Sequence, residues 1–185
     1  MAARLLQGRL TVEDYYRLAE LGILGEDDRV ELLDGQIVEM TPIGPRHVHC
    51  VNWLNTALVR LAGDRATVSP QNPVIISKRG VPQPDLVLLK PRPRRDAPLP
   101  TVQDVLLVIE VSDTTVGYDR DIKVPLYARA RIPEVWLVDL PDDCIRAYRT
   151  PIGDEYADVR VLRRGDTLSP SLLDGVTLSV DDILG

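Results

Sequence analysis

Val81-Pro82-Gln83-Pro84-Asp85-Leu86-Val87-Leu88-Leu89 and, after a basic and proline-rich excursion, Val105-Leu106-Leu107-Val108-Ile109-Glu110-Val111 decide the reading of this chain. Each half is a short apolar run rich in β-branched residues and bounded by turn residues, the pattern of a buried strand. Each carries one carboxylate in apolar company, Asp85 at the start of the first strand and Glu110 near the end of the second. A buried ionised acid is costly unless something positive sits beside it. Two of them on neighbouring strands point to one shared answer, a divalent cation.

The segments on either side build an α/β domain. Thr11 to Leu21 reads as a helix, with Thr11 as N-cap, Asp14 three residues on, and Val12, Tyr15, Leu18 and Ala19 facing inward. Arg29 to Met40 is a hairpin about Asp34-Gly35, a type I′ turn signal. Arg46 to Leu61 is a second helix, its apolar face Val48, Val51, Leu54, Leu58 and Leu61. Ala66–Ser69 and Val74–Ser77 are expected strands, and Lys90–Thr101 holds too much proline for anything but loop.

Asp113–Asp119 is turn-like. Arg120–Ala130 is helical, with Ile122, Leu126 and Tyr127 inward, and Pro133–Asp139 is a buried strand reached through that helix, hence parallel to the Glu110 strand. Cys144–Tyr148 is its hairpin partner; Val159–Leu162 and Val176–Leu178 close the sheet, and Asp181–Leu184 is a terminal helical turn. No linker or repeat interrupts the 185 residues, so the expectation is one domain, residues 1–185, with a mixed central sheet flanked by helices and an N-terminal hairpin.

Composition excludes several classes. The chain is 44% hydrophobic and 27% charged, ordinary for a globular protein, and contains no Phe, so Leu, Val and Ile fill the core. No run approaches a membrane span, and the N-terminus lacks the apolar run of a secretory signal, which makes a cytoplasmic location the default. Two cysteines, Cys50 and Cys144, form no disulfide framework. His47, His49 and Cys50 on one helix point to different faces and do not make a zinc site. Trp53, Trp136, Tyr15 and Tyr127 read as core fillers rather than stacking platforms. The net charge of −6 opposes indiscriminate nucleic-acid binding. Lys78, Arg79, Lys90, Arg92, Arg94 and Arg95 nevertheless offer a local basic stretch beside the central strands.

Neighbouring strands lie about 4.8 Å apart, so Asp85 and Glu110 can reach one Mg²⁺. The carbonyl of Val111 completes a partial oxygen shell. Lys123 enters from the following helix, and its ammonium can hold an attacking water or a phosphate. Singly, each residue has an ordinary explanation: Pro-Asp is a common turn dipeptide, Glu110 can pair with an arginine, and Lys123 can be a solvated helix lysine.

The order Pro-Asp, Glu in an apolar strand, then Lys resembles the PD-(D/E)XK nuclease superfamily, and more closely one bacterial family of small restriction-endonuclease-like proteins. The motifs that carry the likeness are Glu31-Leu32-Leu33-Asp34-Gly35, Gln83-Pro84-Asp85, Val108-Ile109-Glu110-Val111, Lys123-Val124-Pro125-Leu126-Tyr127 and Pro133-Glu134-Val135-Trp136. The resemblance covers Thr11 to about Leu178. It implies a restriction-endonuclease-like fold, Asp85 and Glu110 as metal ligands with the Val111 carbonyl, Lys123 as the catalytic lysine, and Mg²⁺ or Mn²⁺ as cofactor. Glu31, His47 and Gln83 are expected to line the site. One departure stands out: the superfamily's lysine usually follows two residues after the Glu, where this chain has Ser112. The expected activity is metal-dependent hydrolysis of DNA phosphodiesters, by a homodimer in which each subunit cuts one strand. Two rivals are a non-catalytic nucleic-acid-binding or scaffold domain on the same fold, and a hydrolase of another phosphate ester.

Overall fold

The computed structural model describes residues 9–25, 27–93 and 95–185. Helix α1 (Val12–Glu20) opens on a reciprocal capping box in which the Thr11 hydroxyl accepts from the Asp14 amide and the Asp14 carboxylate accepts from the Thr11 amide. Tyr15 is buried on this helix, while Ala19, expected inward, is exposed. Strands β1 (Val30–Leu33) and β2 (Gln36–Glu39) then form the expected hairpin. Asp34 and Gly35 both have positive φ, 47° and 81°, as a type I′ turn demands. A Cβ at Gly35 would lie 2.5 Å from the Cβ of Arg9, so only glycine fits there.

The core is a six-stranded sheet in the order β3 (Thr67–Pro70), β4 (Leu86–Leu89), β5 (Val105–Ser112), β6 (Glu134–Asp139), β7 (Cys144–Ile152) and β8 (Glu155–Leu162). Every pairing is antiparallel except β5 with β6, whose parallel run follows from the intervening helix. Strands β4, β5 and β6 are buried along their whole length, because both faces are covered. On one face lies α2 (Pro45–Ala62), packing Cys50, Val51, Leu54, Leu58 and Ala62 onto Leu86, Leu107, Ile109 and Trp136. On the other lies α4 (Val124–Arg129), packing Val124, Tyr127 and Ala128 onto Val87, Val108 and Leu137.

Several details differ from the pattern read in the sequence. Val48 and Leu61 are exposed, and the buried stripe of α2 instead begins at His47. A polar side chain replaces valine on the inner face because it has a partner there. Residues 74–77 make only isolated bridges, Ile75 with Thr101 and Ser77 with Gly80, since the flanking prolines cannot donate to a ladder. Leu178 does not join the main sheet: β10 (Leu178–Ser179) pairs with β9 (Thr167–Leu168) in a separate ribbon leading to α5 (Val180–Leu184). Among the described residues, no helix is long and apolar enough to cross a membrane. Arg94 of the basic stretch lies outside the described residues.

Glu134, in the Pro-Glu-x-Trp motif, is fully buried and has a structural task. Its Oε1 accepts from the indole Nε1 of Trp136 at 2.7 Å and from Arg149 Nε at 2.8 Å. Its Oε2 accepts from the amide and hydroxyl of Ser171, both at 2.6 Å, tying the C-terminal ribbon to β6. Removing one partner of a buried charge pair costs roughly 3–5 kcal/mol. Glu134→Ala should therefore lower stability by about that amount in denaturant unfolding; a loss below about 1 kcal/mol would contradict this role.

Candidate active site

Four elements converge at the C-terminal end of β5. Glu110 points to the α4 face, sharing it with Val108, and Asp85 stands at the bend just before β4, against His47 of α2. Both carboxylates line one cleft, together with Glu31, His47, Gln83, Val111, Asp119 and Lys123. Every residue singled out in the sequence as catalytic, metal-binding or site-lining therefore meets at this point. The basic stretch does not: Lys78, Arg79, Lys90, Arg92 and Arg95 do not line the cleft, and Arg92 pairs with Asp104 at 2.7 Å.

Lys123 is the hub. Its Nζ lies 3.2 Å from Glu110 Oε1 and 3.2 Å from Glu31 Oε1, and all three side chains are almost wholly buried. Glu31 is delivered by the N-terminal hairpin, which docks through reciprocal backbone bonds between Leu32 and Val81, with Val81 N donating at 2.7 Å. The second oxygen of Glu31 accepts from the Gln83 backbone amide at 3.1 Å and the Gln83 side chain donates to the Val30 carbonyl, so Gln83, itself part of the cleft lining, also fixes Glu31.

The chain brings Lys123 into place by an irregularity. Val116–Tyr118 (α3), a π-helical turn at Asp119–Lys123 and α4 form one helical run. The wider turn puts one extra residue into the helix and shifts the inward face. Asp119 and Lys123 are buried, while Ile122, expected inward, is 46% exposed. Ser112, at the superfamily's usual lysine position, is also occupied: its hydroxyl donates to Asp119 Oδ2 at 2.6 Å, as does that of Thr115.

Asp85 is oriented from two sides. Its Oδ2 accepts from the Val111 amide at 2.8 Å, and its Oδ1 lies 3.0 Å from His47 Nε2. The Nδ1 of His47 is buried without a partner among the described residues. Because an extended residue directs its N–H and C=O to the same edge, the Val111 carbonyl faces the Asp85 side, beyond the start of β4. Glu110 takes both of its protein hydrogen bonds on Oε1, from Lys123 and from the Tyr127 hydroxyl at 2.5 Å. Its Oε2 accepts none among the described residues.

The electrostatics follow from one ammonium among several buried acids. Burial pushes Glu110 up to about 8; Lys123 opposes this, while Asp119, Asp85 and Glu31 reinforce it. Burial by itself would lower Lys123, but Glu110, Glu31 and Asp119 outweigh it and raise the lysine above its ordinary value. Tyr127 is likewise raised, by burial and then by Glu110. The cluster is thus short of positive charge, and Glu110 is the member whose neutral form its surroundings favour.

The donor set suits a hard cation. Asp85 and Glu110 with the Val111 carbonyl offer oxygen only, and Mg²⁺ is usually bound by one or two carboxylates while keeping several waters. Among the described residues no three His, Cys, Asp or Glu side chains are gathered as a ready-made metal shell. A shell built on Asp85, Glu110 and the Val111 carbonyl would therefore be partial and would need water to complete it. Cys50 sits behind Asp85, donates its thiol to the Ile183 carbonyl at 3.3 Å, and is pushed up to about 12 by burial and by Asp85, so no thiolate competes. His49 is exposed on the other side of α2 from buried His47 and Cys50.

Two participants lie outside the set that the sequence pattern marks. Asp119 falls in a segment whose composition is that of a turn, and Tyr127 has the pattern of a core filler, although its hydroxyl holds Glu110. Their signal is the spacing Asp119, Lys123, Tyr127, four residues apart along one helical face.

A mixed six-stranded sheet with a carboxylate pair and a lysine at one strand end defines the restriction-endonuclease-like class. The chain belongs to the Uma2 family, whose model carries the description "Putative restriction endonuclease" and matches residues 12–181. Among solved structures it is similar to a protein from Anabaena variabilis ATCC 29413 titled as a putative nuclease belonging to DUF820. The TM-score is 0.73 at 15% identity, over 95% of this chain and 97% of that one. No curated protein matches the chain.

The raised Glu110 has a consequence for stability. An acid whose folded value exceeds its unfolded value of 4.5 contributes fully below about pH 4.5, and that contribution is lost as pH rises toward about 8. Between pH 5 and pH 8 the wild-type protein should therefore lose stability relative to Glu110→Gln, measured by urea unfolding of both. Parallel pH profiles would contradict the assignment.

Proposed function

We propose that the protein is a Mg²⁺-dependent endonuclease, also able to use Mn²⁺, that hydrolyses DNA phosphodiester bonds. The observation that carries this reading is the meeting of Asp85 and Glu110 on one cleft with the shared ammonium of Lys123 beside them, 3.2 Å from Glu110. Asp85, Glu110 and the Val111 carbonyl would hold the ion. Bound there, it supplies Lewis-acid polarisation of the phosphate and a lowered pKa for a coordinated water.

The chain's own residues account for the remaining requirements. Lys123 stays protonated, and its charge opposes the negative charge that develops on the phosphate oxygens in the transition state. Glu31 holds the same ammonium at 3.2 Å, so the lysine would keep a partner in the cleft when Glu110 turns to the metal. Tyr127 fixes the plane of Glu110 through Oε1 and leaves Oε2 open to the cleft. His47 and the Val111 amide orient Asp85, one on each oxygen. Such supporting bonds are worth about 10–100-fold in metal affinity.

Membership in a family described as "Putative restriction endonuclease" supports the nucleic-acid substrate, and the oxygen-only donor set supports the choice of metal. Asp85→Ala should abolish Mg²⁺-dependent nicking of plasmid DNA with the circular dichroism spectrum unchanged. Full activity in that variant would reject the assignment. Lys123→Met should retain Mn²⁺ binding by calorimetry while nicking falls by at least about 100-fold, the scale on which a single charge-stabilising group acts.

A further inference from the structure

From the shape and charge of the cleft we infer that the substrate enters as an unpaired DNA strand rather than as an intact duplex, an inference that rests on the nuclease reading of the site. The reacting groups lie at the bottom of a slot: Glu110 is 3% exposed, Lys123 6% and Glu31 3%. One wall is the end of the N-terminal hairpin and the connection to α2, with Val38, Met40, Pro42 and Ile43. The other is the segment after β5, with Asp113, Thr114, Thr115 and Tyr118.

The walls meet at the start of α2. Arg46 Nη1 lies 3.5 Å from Asp113 Oδ1, and its Nη2 donates to the Leu140 carbonyl at 2.9 Å. A Cβ at Gly44 would make ordinary contact with Asp113 Oδ2, at 3.5 Å. The Arg46–Asp113 pair bounds the slot on that side, and the cavity volume is about 100 Å³, room for a phosphate group and a few waters. A phosphate in a duplex is accompanied by the opposite strand across a minor groove about 6 Å wide, and the duplex is stiff over about 150 base pairs. Such a stiff rod is poorly suited to bringing one phosphate down to the floor of a recess of that size. An unpaired strand can bend in.

Charge favours the same substrate. Glu31, Glu39, Asp85, Glu110, Asp113 and Asp119 line the cleft against Arg29, His47 and Lys123. Duplex DNA carries one negative charge per about 1.7 Å and is held by rows of Lys and Arg on phosphates. The basic stretch that could form such a row, Lys78, Arg79, Lys90, Arg92 and Arg95, lies away from the cleft. Ile43, 42% exposed on the apolar wall, offers instead an apolar contact for the face of an unstacked base or a sugar, which a paired strand keeps inside the duplex.

The test compares a fluorescent single-stranded oligonucleotide, its blunt duplex and a splayed duplex with unpaired arms. Fluorescence anisotropy with wild-type protein in Ca²⁺ should show the single strand binding at least about 10-fold tighter than the duplex. In Mg²⁺ or Mn²⁺ the single strand and the unpaired arms should be cut at least about 10-fold faster. Equal or tighter binding of the duplex, or equal or faster cutting of it, overturns the inference. Preferential binding of the single strand with no cutting of any form defeats the nuclease reading and leaves the inference standing. Ile43→Asp, at an exposed position that leaves the melting temperature unchanged, should weaken single-strand binding several-fold; unchanged single-strand affinity in that variant overturns the role given to the wall.

Discussion

One ammonium shared by two buried carboxylates, Lys123 with Glu31 and Glu110 at 3.2 Å each, is the constraint to which the rest of the site answers. Charges so deeply removed from water are tolerated only when paired and hydrogen-bonded. The pairing draws on three regions distant in sequence. The hairpin supplies Glu31, the fifth strand supplies Glu110, and the helix after it supplies Lys123. Misplacing any one leaves an uncompensated charge in the interior. The hairpin is therefore pinned twice, by Gly35 against Arg9 and by Leu32 against Val81. The helix accepts an irregular π turn to bring both Asp119 and Lys123 inward.

The pairing is also incomplete. Burial above all, with Asp119 and Asp85 adding negative charge that Lys123 only partly offsets, pushes Glu110 up to about 8. A divalent cation between Asp85 and Glu110 would remove the deficit. The same shortage of positive charge is what the proposed metal-assisted phosphate chemistry would draw on. The supporting bonds from His47, the Val111 amide and Tyr127 point the same way: each fixes one oxygen of a proposed ligand and leaves the carboxylate turned to the cleft.

Much of this is legible in the amino-acid sequence, for particular reasons. The apolar runs around Asp85 and Glu110 are buried on both faces, so their hydrophobicity is continuous and their carboxylates conspicuous. The Asp34-Gly35 turn dictates its hairpin through backbone conformation alone. The parallel pairing of the fifth and sixth strands follows from the helix between them. What cannot be read are features set by tertiary partners. His47 takes the inner place on α2 from Val48 because Asp85 waits for it. The π turn has no local signature, so the pattern groups Asp119 with the preceding turn and puts Ile122 on the wrong side. Leu178 has strand character but pairs with Leu168 in a ribbon that Glu134 and Ser171 fasten to the sheet. The Pro-Glu-x-Trp motif illustrates the same limit: its pattern marks the family, yet its glutamate is a structural anchor away from the chemistry.

The most direct test is a crystal structure of the protein soaked in Mn²⁺, with the metal located by its anomalous scattering. A single strong peak within about 2.0–2.3 Å of carboxylate oxygens from both Asp85 and Glu110, with Lys123 still bound to Glu31, is the predicted result. A peak that touches neither residue, or none at millimolar Mn²⁺, would contradict the account.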